Sequence, residues 1–234
     1  MLSGIRIDRD KKLVRLLAGK ARKTGDAWQV EMELRNGVKN GRDVIHSRAK
    51  ALLVDRLPEA PVYIAHRKNG CKAFPLDLDA VYGKILFHGD QLRAIRAIDS
   101  YCEHGMTARL TNAPKPEAWM QDPIREHWTA DPMVLDGAFQ MAIVWCHEQQ
   151  GRVCLPSYAR SYRQYRPDFP DSGVKAVMKV TSSTHRKMTA DFTFLDDSDQ
   201  IVAILNGYEA TVDDALIHAF QKNGLPPVIK ENHE

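Results

Sequence analysis

Apolar and polar positions alternate along much of the chain, with one long interruption. Trp28-Gln29-Val30-Glu31-Met32-Glu33-Leu34 alternates strictly and predicts a half-buried strand. Leu13-Val14-Arg15-Leu16-Leu17 predicts a shorter one, and residues 44–54 a third, although a helix is also compatible there. Asn36-Gly37 and Asn40-Gly41 supply turns between them. Leu57-Pro58-Glu59-Ala60-Pro61 breaks the pattern and reads as a boundary. Val62-Tyr63-Ile64 predicts a short strand and Asn69-Gly70 a turn. From Gln91 the strand pattern resumes with an imperfect period over residues 92–99, and residues 106–110 are its hairpin partner. Val174, Ala176, Met178 and Val180 alternate with mostly polar neighbours, and residues 189–195 and 201–212 flank the turn Asp196-Asp197-Ser198-Asp199.

The interruption is helical. Asp131-Pro132 pairs an N-cap acceptor with a proline at the first helical position, where its missing N–H costs nothing. The helix should run to about Gln150, with Gly151 beyond its end. Met133, Val134, Leu135, Ala138, Phe139, Ala142, Ile143 and Trp145 cover most of its circumference, the mark of a buried helix. One buried helix among many antiparallel strands predicts an α+β protein of hot-dog type, a sheet wrapped around a central helix at about 131–150. Residues 112–130, with three prolines and two tryptophans, predict an ordered loop; a short helix is expected from Asp213 through Leu216, Ile217, Ala219 and Phe220, then a loose tail.

Composition narrows the function. The chain of 234 residues is 44% hydrophobic and 27% charged, with 33 basic against 30 acidic residues, a net +3. That balance argues against nucleic acid and suits a mildly acidic protein partner. The segment from Met133 to Trp145 is too short to span a bilayer and contains an acid, so no membrane contact and a cytoplasmic location are expected. Cys71, Cys102, Cys146 and Cys154 form no C-x-x-C pair, which leaves no zinc or redox motif and predicts four reduced thiols.

Asp136 is the candidate with the most chemistry. It sits one turn into the most apolar helix, where desolvation would favour its protonated form and make it a proton donor. Gln140 lies four residues on, hence on the same face, able to hold the carboxyl or a substrate oxygen. The alternative is a solvent-facing acid near a helix N-terminus, stabilised by the macrodipole.

Three segments carry a family resemblance. Asp131-Pro132-Met133-Val134-Leu135-Asp136-Gly137-Ala138-Phe139-Gln140 resembles the second-half motif of polyketide synthase dehydratase domains. Leu86-Phe87-His88-Gly89-Asp90-Gln91-Leu92 is similar to an upstream segment of that family, and Leu155-Pro156-Ser157 to its Leu-Pro-x-Ser segment downstream. The ordered set covers about residues 80–212, the family's C-terminal hot dog, and is more specific than each motif alone. His88 stands where the family commonly has an aromatic residue, Asp90 replaces the usual proline and Leu92 the usual phenylalanine. The implied organisation is residues 1–60 as strands of a partial N-terminal hot dog, 61–80 as a connection, 81–222 as the C-terminal hot dog and 223–234 as tail.

The resemblance implies a dehydration. A 3-hydroxyacyl group rides on the phosphopantetheine arm of an acyl carrier protein, with no other cofactor and no metal. A His takes the α-proton and Asp136 protonates the leaving hydroxyl, with Gln140 orienting Asp136 or the departing water. His88, Gly89, Leu155 and Pro156 would line the substrate site. His88 also has the alternatives of a substitute base or a structural imidazole at a strand end. The family's base lies in H-x-x-x-G-x-x-x-x-P ahead of the N-terminal strands, so it is expected to be missing from this chain. His66, Gly70 and Pro75 match that spacing literally, but they follow the strands and no apolar helix comes after them.

Tyr158, Arg160, Tyr162, Arg163, Tyr165 and Arg166 form either a contact for carrier-protein acids and phosphate or a strand with one solvated face. Implied partners are acyl carrier protein, other synthase domains and a second copy of the chain. Two other readings of the whole are a non-catalytic dehydratase-like scaffold or carrier-docking module, and a product-template-like cyclase.

Overall fold

A computed structural model describes residues 4–5, 12–39, 41–65 and 70–216. His66, the residues of the predicted terminal helix from Ile217 onward and the predicted tail lie outside them. The chain divides into two compact units, one up to Pro58 and one from Glu59.

The first unit is a single antiparallel sheet. Its centre is β3 (Ala27–Lys39), paired along one edge with β1 (Arg15–Ala18) and β2 (Arg22–Thr24), and along the other with β4 (Arg42–Leu53). The strict alternation in β3 sorts its side chains. Leu16 opposite Leu34, and Trp28 opposite Leu53, share one face. Glu33, Arg35 and Arg48 share the other, where Arg48 bonds Glu33 at 2.9 Å and Arg35 bridges Glu33 and Asp43. Residues 44–54, open between strand and helix in the sequence, are mostly strand.

The second unit holds the helix. Residues 62–64 form no strand; Val62 and Ile64 are exposed. α1 (Leu78–Ala80), capped by the Asp77 carboxylate, runs directly into a π-helical turn at Val81–Ile85. A 3-10 turn at Asp90–Leu92 follows, so β5 (Ile95–Cys102) starts three residues later than the apolar pattern predicted. Its imperfect period has a physical cause. The pairing of β5 with β6 (Gly105–Leu110) shifts register twice, and each bulge puts an extra residue into the alternation. Gly105 is obligatory at φ 146°, since a Cβ there would fall 2.0 Å from the Met178 carbonyl oxygen. α2 (Pro116–Trp119) lies within the predicted loop.

α3 (Pro132–Gln150) has the predicted limits. The Asp131 carboxylate accepts from the N–H groups of Met133 and Val134, and Gly151 closes the helix at φ 62°. Then come β7 (Cys154–Gln164), β8 (Val174–Ser183), β9 (Lys187–Leu195) and β10 (Ile201–Val212). The six strands form one antiparallel sheet in the order β5-β6-β8-β9-β10-β7. α3 packs against β5, β6, β7 and β8, with Val134, Ala138, Met141, Ile143 and Trp145 in the core beside Phe192, Phe194 and Tyr208. The architecture is the hot-dog α+β fold.

The basic aromatic stretch is β7, an edge strand. Tyr158, Arg160 and Arg163 are exposed, whereas Arg166 is engaged by Asp196 at 2.8 Å. Two cysteines depart from the all-thiol expectation. Lys72 and Tyr101 exchange both backbone hydrogen bonds, which sets Cys71 opposite Cys102 at a Cα separation of 4.6 Å, and the two are disulfide-bonded. Cys146 and Cys154 are buried free thiols.

Candidate active site

The first turns of α3 project two kinds of side chain. Met133, Val134, Gly137, Ala138 and Gln140 are buried against the sheet. Pro132, Leu135, Asp136 and Phe139, spaced three and four apart, form a partly open stripe. Asp136 therefore stands at the rim of the core, its side chain 37% exposed. The sequence left open a desolvated acid or a solvent-facing one; the position lies between the two, on a buried helix but with the carboxylate on its open side.

Gln140, wholly buried, holds Asp136 from below. Its Nε2 donates to Asp136 Oδ2 at 2.7 Å and to the Leu92 carbonyl at 2.7 Å. Its Oε1 accepts from the Tyr82 hydroxyl at 2.8 Å, and the Ile95 N–H donates to that same hydroxyl at 2.7 Å. Burial pushes the Tyr82 hydroxyl up to about 12, so it stays protonated. Nothing in the sequence pattern pointed to Tyr82. Its one signal is a hydroxyl-bearing aromatic next to the apolar positions Val81, Ile85 and Leu86, where a buried hydroxyl needs a partner.

His88 completes the cluster. Its Nε2 is 3.4 Å from Asp136 Oδ2, its ring stacks on Phe87 at 4.4 Å, and its side chain is 7% exposed. Burial lowers its imidazole pKa, and the Asp136 carboxylate works against that shift. The neutral ring can donate from Nε2 to Asp136 while Nδ1 stays unprotonated. Nδ1 is buried and has no hydrogen-bond partner among the described residues. Gly89 is exposed at the start of the 3-10 turn and accepts from the Leu92 N–H. Leu155 and Pro156 are partly buried at the beginning of β7. The structure thus joins Asp136, Gln140 and His88 by direct contacts, while Leu155 and Pro156 relate to them through the packing of β7 on α3. Among the described residues no group of three or more His, Cys, Asp or Glu is placed to hold a metal ion. No helix among them is long and apolar enough to cross a membrane.

A curled antiparallel sheet around one helix, with a carboxylate at the helix's open side, defines a hot-dog protein with an acid–amide–imidazole site. Residues 71–215 match the family model described as the polyketide synthase dehydratase N-terminal domain. The chain belongs to the polyketide synthase dehydratase family. It is 33% identical over 96 residues to a polyunsaturated fatty acid synthase of Thraustochytrium sp.. That match takes in 41% of this chain and 3% of the synthase polypeptide. The dehydratase domain of the CurF module of curacin polyketide synthase superposes with a TM-score of 0.63 at 17% identity, covering 89% of this chain and 71% of that one. The dehydratase domain of PpsC from Mycobacterium tuberculosis, solved in complex with C12:1-CoA, gives a TM-score of 0.58 at 17% identity, covering 86% and 68%.

Proposed function

We propose that this chain is the acid-bearing part of a synthase dehydratase that removes water from a 3-hydroxyacyl thioester carried by acyl carrier protein. The observation that carries the reading is the Asp136 carboxyl, open on one side and held by the buried Gln140 amide on the other. Pre-set donors of this kind position a proton-transfer group without reorganisation during the reaction. The complex of the PpsC dehydratase with an acyl-CoA supports an acyl thioester as the ligand class.

In the proposed reaction a base takes the α-proton, which the thioester carbonyl acidifies. The electrons of that C–H bond form the α,β double bond, and the β C–O bond breaks. Asp136 gives its proton to the leaving oxygen, so water departs rather than hydroxide. The substrate rides on the phosphopantetheine arm of the carrier, and the step consumes no redox equivalent. His88, Gly89, Leu155 and Pro156 would contact the acyl thioester, and exposed Arg160 and Arg163 on β7 would meet acidic carrier residues. We assign residues 81–222 to the C-terminal hot dog on the Asp-x-x-x-Gln helix, although the matching family model is described as an N-terminal domain. The base is then a His from the other half.

Incubation of this chain, and of its longest natural form, with 3-hydroxyacyl carrier protein tests the reading by loss of water in the mass spectrum. The long form should dehydrate and residues 1–234 alone should not. A long form that binds carrier protein without turnover would favour the scaffold reading instead.

A further inference from the structure

Asp136 has two carboxyl oxygens, and their surroundings differ. We infer that Tyr82, acting through Gln140, is a positioning residue that leaves Asp136 Oδ1 as the oxygen that carries and delivers the catalytic proton. The inference rests on the proposed dehydration for its consequence, but its geometry stands apart from it.

The direction of every bond in the chain is determined by groups with one role. The Ile95 N–H can only donate, so it uses a lone pair of the Tyr82 oxygen at 2.7 Å. The Tyr82 proton is then free to go to Gln140 Oε1 at 2.8 Å. From the other end, the Leu92 carbonyl can only accept, so the Gln140 atom 2.7 Å from it must be the NH2 nitrogen. Both ends demand the same amide orientation. The second proton of that nitrogen is left for Asp136 Oδ2 at 2.7 Å. His88 Nε2 approaches the same oxygen at 3.4 Å. Oδ2 thus faces donors, and a proton placed in their direction would meet other protons. These donors all converge on Oδ2, whereas Oδ1 is the other oxygen of a partly exposed carboxyl on the open stripe. Tyr82 is 6% exposed and Gln140 is wholly enclosed, so water cannot readily replace a lost link in this relay. The elevated pKa of the Tyr82 hydroxyl keeps its proton in place across the working range.

The test uses the whole chain with 15N-labelled glutamine side chains, the Gln140 signal being assigned by its loss in Gln140→Met. In the wild type the Gln140 amide protons should exchange with solvent at least about tenfold more slowly than those of exposed glutamines. Tyr82→Phe keeps the ring and removes the hydroxyl, and should speed that exchange about tenfold or more. In whichever of this chain and any longer natural form turns over, Tyr82→Phe should lower kcat about tenfold with KM within about twofold. A merely structural role would not split kcat from KM in this way. Unchanged exchange and unchanged kcat in Tyr82→Phe would overturn the inference. If that variant does not fold, the wild type decides through the Tyr82 hydroxyl proton: exchange with solvent as fast as that of an exposed tyrosine overturns the inference, and a slowly exchanging proton with a nuclear Overhauser contact to the Gln140 amide upholds it. Asp136→Asn separates the two proposals. Retained turnover in that variant removes Asp136 as the acid and the inference with it, and no turnover in any natural form removes the dehydratase reading, whereas lost turnover with an indifferent Tyr82→Phe removes only the role of Tyr82.

Discussion

Replacing Asp131 should destabilise the protein more than an ordinary helix cap does. Its carboxylate is 5% exposed and accepts from Met133 and Val134 at 2.9 Å each, and from the Ala113 N–H at 3.1 Å to either oxygen. It therefore ties the segment after β6 to the first turn of α3. Loss of an N-cap costs about 1 kcal/mol. A buried N–H left without a partner adds about 1–3 kcal/mol. Asp131→Ala should thus cost about 2–4 kcal/mol, which lowers Tm by roughly 5–15 °C in a unit of this size. Asp131→Asn keeps one oxygen for the helix amides and should lose about half as much. Burial holds the Asp131 carboxyl above its usual range, against the pull of the three N–H donors. A carboxyl raised in the fold contributes most below its unfolded value, about 3.9, and loses that contribution as pH rises through the folded value. The gap between wild type and Asp131→Asn should accordingly be widest below about pH 3.9 and narrow toward neutrality. Thermal unfolding followed by circular dichroism across that range measures both effects. An Asp131→Ala variant that melts with the wild type, or a gap that widens with pH, would refute the reasoning.

Three other outcomes follow from the same structure. Gly137→Ala places a Cβ 3.0 Å from Ala94 Cβ and from Leu110 Cδ1, so despite a gain in helix propensity it should lower Tm by overpacking, at about 1–3 kcal/mol; a raised Tm would contradict this. Reduction of Cys71–Cys102 opens a loop with a sequence separation of 31, worth about 3–4 kcal/mol in the chain-entropy account. Tm should therefore fall with reductant in the wild type and not in Cys102→Ser. His88 has a lowered pKa in the fold, so the folded state binds fewer protons there than the unfolded state, and stability should be lost as pH falls below about 6.5. His88→Phe should flatten that part of the stability profile, as read by chemical denaturation between about pH 7 and about pH 5.

The helix was legible because its signals are local: Asp131 and Pro132 at one end, Gly151 at the other and an apolar circumference between. β3 was legible because its alternation persists through residues 28–34. β5 was harder to delimit because two bulges break its period, and each is set by the pairing with β6 rather than by β5 itself. The sequence left the exposure of Asp136 undecided between two readings. A helix apolar nearly all round hides which narrow stripe remains open, and that depends on the sheet's reach. Tyr82 was missed for a similar reason: its partner Gln140 is 58 residues away, and the π-helical turn that presents it has no simple periodicity. The Cys71–Cys102 pairing depends on a bridge between Lys72 and Tyr101 that no spacing announces.

The central claim is that Asp136 supplies the proton that lets water leave. The rate of water loss from 3-hydroxyacyl carrier protein, measured in single turnover for the longest natural form and its Asp136→Asn variant, tests it most directly. General acid catalysis contributes about 10²–10⁴-fold, so the variant should be slower by that factor with its fold intact. Water loss at the wild-type rate in Asp136→Asn would contradict the account.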